Sequence, residues 1–239
     1  MTPKPPPRSS TRIRRDARRA AAIERRRERE TAILRATREL FDKRGVREAQ
    51  IDDIAQAVGI NRAIIYRHFD GKEDLFALAV ESYLEDFAQQ LADADDPDAS
   101  PEDRLARLTR AFADFAIEHP AFIDCAFTLM RTPSSELFEQ VNEESVVRLG
   151  KAMLLCLARV IEVLEDGKRA GSFHFADVHM LANALYAQGL GALQLARLGL
   201  VVREASPGVP TVVPVSPLQL KEYLVAASLA MARGLQPPE

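Results

Sequence analysis

The chain has 239 residues, of which 47% are hydrophobic and 28% charged. That length and balance exclude wholesale disorder, collagen-like repeats and a coiled coil alone, and leave room for one large domain or two small ones. The formal net charge of −3 is an average over two unlike parts. Through Asp74 there are 19 Lys and Arg against 12 Asp and Glu, whereas the remainder has 13 against 23. A basic head on an acidic body points to two parts with different partners.

Ala, Leu, Glu and Arg dominate the long segments, and no stretch alternates long enough to read as a sheet, so the expected fold class is all-α. Cys125 and Cys156 are too few for a disulfide framework and lack metal-ligand spacing. They read as buried small hydrophobes. No apolar leader is visible at the N-terminus. The uncharged run 178–196 is interrupted by His179, Asn183, Gln188 and Gln194, which suits a buried or dimer-forming helix better than a membrane span. The expected location is the cytoplasm, in association with the nucleoid.

Residues 1–22 read as a disordered basic arm. The run Pro3-Lys4-Pro5-Pro6-Pro7 and the charge of Arg12, Arg14, Arg15, Arg18 and Arg19 oppose a packed core. Those five arginines are candidates for contact with nucleic-acid phosphates or a minor groove. A first helix is expected to start near residues 23–29 and to end at Gly45, with Ile33, Thr37, Leu40 and Phe41 on one face.

The segment from Ile51 to Phe69 then reads as two short helices. Ile51, Ile54, Ala55 and Val58 form the inner face of the first, and Asp52 and Asp53 sit in its favourable first turn. Gly59 turns the chain, Asn61 caps the second helix, and Ile65 and Phe69 bury that helix's inner face. Two short helices across a glycine turn, after a longer support, make a helix-turn-helix. Its outward side presents Arg62, Ala63, Ile64, Tyr66, Arg67 and His68. Arg62 suits bidentate contact with guanine, and Ala63 and Ile64 suit a thymine methyl. Tyr66, His68 and Lys72 suit phosphates, and Gln50 can cap or donate.

The sequence Asp53-Ile54-Ala55, Gly59-Ile60, Ile65-Tyr66-Arg67-His68-Phe69 and Gly71-Lys72-Glu73-Asp74-Leu75-Phe76 resembles the DNA-binding domain of the TetR family of transcriptional regulators. The segment from Ile33 to Phe41 and Gly45 fit the same pattern, so the resemblance covers about residues 29–79. It implies a homodimer with a three-helix DNA-binding head (residues 23–74). A linking helix from Lys72 would lead into a helical ligand-binding and dimerisation body (residues 75–239). It also implies that Arg62, Ala63, Ile64 and Tyr66 enter the major groove of a palindromic operator. The chain departs from the family at Ala49-Gln50, Asn61, Ala63 and Ile64, where Thr, Ser, Gly or Pro, and Thr or Ser are common.

In the body, helices are expected at 72–92, 101–118, 120–130, 134–166, 173–200 and 217–235. Pro207 to Pro214 reads as a rigid loop able to lie over a neighbouring subunit. Small residues between Ala182 and Ala196 allow close helix approach, as in an intramolecular core helix or, with an apolar stripe from Leu218 to Met231, in the four-helix dimer interface that the resemblance implies. Dense phenylalanine with few charges suggests a pocket for a hydrophobic or aromatic ligand. Its candidates are Phe112, Phe115, His119, Phe122, Phe127, Met130, Met153, Leu157, Tyr186 and Gln194. No phosphate loop, metal cluster or activated nucleophile is visible, so no enzyme, metal or cofactor is expected. The expected function is a ligand-responsive transcriptional regulator, a repressor in the first instance. The alternative is a helical scaffold or lipid-binding protein with non-specific nucleoid association.

Overall fold

The computed structural model describes residues 10–131, 139 and 141–234, with side chains from residue 15 onward. Among the described residues the chain forms nine helices and one two-stranded hairpin. The head comprises α1 (Ser10–Arg44), α2 (Ile51–Val58) and α3 (Arg62–Ile65). Ile33, Phe41, Ile54, Ala55, Ile65 and Phe69 bury their side chains between these helices. Each large apolar side chain buried in this way contributes about 1.5–3 kcal/mol. Gly59 adopts φ +72° and closes α2, the left-handed conformation that a side chain would oppose. Asn61 then caps α3, accepting a hydrogen bond of 2.8 Å from the Ala63 amide.

The body begins with α4 (Lys72–Ala94), which packs along α7 (Glu143–Arg169) and against α5 (Pro101–Glu118). Ser100 caps α5 through the Asp103 amide, with Pro101 in the first turn. After α5 come α6 (Pro120–Arg131), α8 (Val178–Leu198), β1 (Leu200–Ser206), β2 (Val209–Pro214) and α9 (Pro217–Arg233). Arg104, on α5, ties the far end of the body together. Its guanidinium holds Asp95 at 2.8 and 2.9 Å and Asp166 of α7 at 2.5 Å.

Five expectations change. The arm is helical from Ser10 onward, and only residues 1–9 of it lie outside the described residues. From Arg12 to Ala22 the arm is mostly Arg and Ala, both strong helix formers, so α1 runs far past its apolar stripe. Helix α7 does not stop at Gly167, because that glycine is buried in the helix under Phe173. A Cβ there would sit 2.0 Å from the ring. Helix α7 also starts at Glu143, not near 134, because Asn142 is extended and caps it, accepting from the Ser145 amide at 2.8 Å; residues 134–138 and Leu235 themselves fall outside the described residues. Helix α8 starts at Val178, not Phe173, since Asp177 accepts from the His179 and Met180 amides and fixes the cap there.

The expected loop around Pro207–Pro214 is the second strand and turn of an antiparallel hairpin, pairing Val202 with Val212 and Leu200 with Pro214. A two-stranded hairpin has only edges, so prolines lose no ladder bond in an interior strand. Valine and threonine then favour the extended chain. The helical fold class stands with this small addition.

Candidate DNA interface and ligand cavity

The outward side of the helix-turn-helix is open. Gln50, Asn61, Arg62, Ala63, Tyr66, Arg67 and Lys72 are all exposed. Arg62 stands at the first position of α3, its Nη1 3.6 Å from Asp52 Oδ2. Its guanidinium also lies 5.8 Å from the Tyr66 ring. Both groups of this ion pair are solvated, so the pair is worth about 1 kcal/mol or less and can be exchanged for another acceptor. Lys72 sits exposed in the first turn of α4.

Two residues of the expected interface are less free. Ile64 is half-buried, as is His68. The Nδ1 atom of His68 is buried without a hydrogen-bond partner. Burial first, then the charge of Arg26, hold its imidazole below the usual histidine range, so it is neutral near pH 7. A neutral ring turned toward α1 is a weaker phosphate ligand than the sequence suggested. Of the arm, Arg15, Arg18 and Arg19 are exposed, while the side chains of Arg12 and Arg14 lie outside the described residues.

The body encloses a cavity of about 110 Å³ between α4, α5, α6, α7, α8 and α9. Five expected residues line it: Phe112, Phe122, Met153, Leu157 and Tyr186. Five do not. Phe115 stands behind the wall, its ring 5.2 Å from both Phe87 and Phe122. His119 caps α5 and stacks on Phe115 at 4.6 Å. Phe127 is packed on the core away from the cavity, Met130 is 59% exposed on α6, and Gln194 is half-buried near the end of α8. Sequence reasoning missed the contribution of the linking helix. Leu84, Phe87 and Leu91 form one wall. Their spacing of three and four residues was the available signal.

The wall is apolar apart from Thr109, Asn183, Tyr186 and Ser228. Thr109 already donates to the Leu105 carbonyl and Asn183 to that of His179. Burial pushes the Tyr186 hydroxyl and the Cys156 thiol up to about 12, so both stay neutral. Cys156 therefore behaves as a small hydrophobe, and Cys125, also pushed up by burial, does the same. Gly189 lets α8 approach the cavity closely: a Cβ there would meet Phe112 Cε1 at 2.5 Å. Met153 and Asn183 are the exposed members of the lining and mark its mouth.

A chain of contacts runs from this cavity to the head. The Phe122 ring is 6.2 Å from that of Tyr83, which donates to Asp42 Oδ2 at 2.9 Å. Asp42 belongs to α1, and its other oxygen accepts from the Ala121 amide at the start of α6 (3.0 Å). His119 Nδ1 lies 3.6 Å from the same carboxylate. Further along, Arg148 of α7 bridges Glu81 of α4 at 2.8 Å and Glu30 of α1 at 3.3 Å. These contacts make a continuous packed path from the cavity wall to α1.

Among the described residues no group of His, Cys, Asp and Glu could hold a metal, and no helix is long and apolar enough to cross a membrane.

Comparison with known proteins agrees with this geometry. The family model described as "Bacterial regulatory proteins, tetR family" matches residues 33–79, the core of the head. The transcriptional activator FasR of Mycolicibacterium smegmatis is 30% identical over 92 residues, which is 38% of this chain and 42% of FasR. The transcriptional repressor NicS of Pseudomonas putida is 32% identical over 91 residues, 38% of this chain and 43% of NicS. The matched stretch thus spans less than half the length of either relative. The whole fold is similar to that of a tetR-family regulatory protein from Rhodococcus RHA1. There the TM-score is 0.62 at 19% identity, covering 85% of this chain and 96% of that one. Residues 33–79 thus match the helix-turn-helix head of the TetR family of bacterial transcriptional regulators.

Proposed function

We propose that the protein is a homodimeric, ligand-responsive repressor that leaves a palindromic operator when a small hydrophobic or aromatic molecule fills the body cavity. The observation that carries this reading is the shared wall. Helix α4 lines the cavity with Leu84, Phe87 and Leu91 and begins at Lys72, directly after the recognition segment. A cavity of about 110 Å³ suits a single ring or a short branched chain. Occupancy favours whichever α4 position gives it more room, and that shifts the population of head spacings.

The dimer face is supported by α8. Its exposed positions Met180, Asn183, Ala187, Gly191, Leu195 and Leu198 recur at three- and four-residue spacing. Together with exposed Leu218 and Tyr223 on α9 they form an apolar, small-residue surface fit for helix packing across a two-fold axis. The other small residues expected there turn inward, as Ala182 and Gly189 line the cavity. The division of labour follows the charge split, with residues 23–74 reading DNA and residues 75–239 sensing ligand and pairing subunits, inside the cytoplasm.

Footprinting on the region upstream of the protein's own gene tests this. An inverted repeat protected at nanomolar protein, and released by a single-ring compound such as phenol or benzoate in an anisotropy titration, is expected. Uniform protection of any duplex supports the non-specific alternative instead. Gly189→Leu supplies a sharper check. The added side chain occupies the space of the Phe112 ring and fills the cavity, at a stability cost of about 1–3 kcal/mol. Operator affinity within threefold of wild type, with the ligand response lost, is the expected anisotropy result. A full ligand response in that variant would remove the cavity from the mechanism.

A further inference from the structure

The feature left over is the first part of α1. Between Ser10 and Arg29 the sequence has nine arginines against three acids. Every residue from Arg15 to Arg29 is exposed. Burial starts only at Glu30 and Ile33, where α1 meets the rest of the head. Twenty residues of helix extend about 30 Å, and from Arg15 to Arg29 none of them is covered by the rest of the chain. A helix with nothing apolar to bury is marginal in water, and adjacent arginines repel one another. What it offers a partner is positive charge in a fixed array.

The array has a direction. Arg15, Arg19 and Arg26 are spaced four and seven apart, so they fall within roughly 40° on the helix, with Arg29 about 60° further round. The same face continues into Ile33 and Thr37, which pack into the head. Burial first, and then the charge of Arg26, with Arg29 adding to it and Glu30 opposing it, lower the basicity of His68 beside the end of the recognition segment. The row of arginines therefore prolongs a helix of the head itself, in line with the face that Ile33 and Thr37 bury.

We infer that the N-terminal half of α1 is a second DNA-binding element. It lies along the phosphates that flank each operator half-site and grips them through the Arg15, Arg19, Arg26 and Arg29 face. This rests on the proposed operator binding and extends it. A helix of about 30 Å spans about nine base pairs of flanking duplex at 3.4 Å per pair. The contact is sequence-independent, because it reaches phosphates and not base edges. It adds affinity through counterion release, close to 0.9 units of log K per log salt for each phosphate neutralised.

The test compares full-length wild type with two glutamine variants on operator duplexes carrying either 2 or 12 flanking base pairs. One variant is Arg15→Gln/Arg19→Gln/Arg26→Gln, on the proposed face. The other is Arg25→Gln/Arg27→Gln, on the flanks of that face, as a control for charge alone. Wild type is expected to bind the long duplex at least tenfold more tightly than the short one near 0.1 M salt. The triple variant is expected to bind both equally and to lose about 2.7 units of salt slope per protomer. The control should keep the length preference and lose less than one unit. Circular dichroism of each free variant shows whether the helix is intact. Wild type indifferent to flank length, or a control that loses as much per charge as the triple variant, overturns the inference while operator binding stands. Failure of wild type to prefer operator over random duplex overturns both readings.

Discussion

Arg62→Ala is expected to weaken operator binding by about 10- to 100-fold and to flatten base preference at one position in each half-site. The estimate is the value of a bidentate arginine–guanine contact, about 1–3 kcal/mol. Geometry favours Arg62 for that role. It occupies the first turn of α3, is exposed, and is oriented by Asp52 and by the Tyr66 ring. The solvated pair with Asp52 gives up at most about 1 kcal/mol when the guanidinium turns to a base, less than the contact returns. Lys72→Ala and Tyr66→Ala should differ in kind, weakening binding about equally on all sequences. A binding assay over a library of single-base operator variants separates the two patterns. An Arg62→Ala protein that is weaker on every sequence by the same factor places Arg62 on a phosphate and not on a base.

Arg104→Ala is expected to be the most destabilising single change in the body, about 3–5 kcal/mol, because it strands a buried carboxylate. The Asp95 side chain is 2% exposed and would keep only Arg159, 3.5 Å away, and the Asp96 amide. For a chain of this size that corresponds to a fall in Tm on the order of 10 °C. Arg104→Lys should rescue only part of it, since one ammonium cannot reproduce the fork that holds both Asp95 oxygens. The interaction also has a pH signature. Hydrogen bonding from Arg104, chiefly, holds the Asp95 carboxyl below its ordinary value of 3.8. Its stabilisation is therefore complete above that value and is lost as pH falls through the lower folded-state value. Urea unfolding at pH 7 and pH 3 should show wild type and variant converging in acid. Equal stability at pH 7 would show that the cluster is satisfied without Arg104.

The head was legible in the sequence because its shape is set by local chemistry. Gly59 needs a left-handed conformation, Asn61 needs an amide to cap, and Ile65 and Phe69 stand one turn apart. The cavity was only half legible. Phe112 and Phe122 were found by their density, but Phe115 carries the same signal and stands behind Phe87 and Phe122. Which face of an apolar helix borders a void depends on how three neighbours approach it, and Gly189 decides that approach at a position where composition shows only another small residue. The hairpin was missed because its prolines look like interruptions until the strand is known to have no interior neighbour. The start of α1 was missed because charge was read as disorder, although arginine, alanine and glutamate also favour helix.

The clamp on Asp95 has a mechanical consequence. Asp95 is the C-cap of α4, so Arg104 fixes α4 at the end remote from DNA. Taken as a rigid rod pivoting there, α4 is a lever about 34 Å long. Phe87, in the cavity wall, sits eight residues from the fulcrum, about 12 Å along the axis. Lys72 sits at the free end. A ligand that pushes Phe87 aside by about 1 Å therefore swings the DNA end by roughly 3 Å, a gain set by chain position alone. Shortening or lengthening α4 by a whole turn between Lys72 and Leu84 would change that gearing while leaving the cavity residues Leu84, Phe87 and Leu91 and the recognition residues of α3 unaltered.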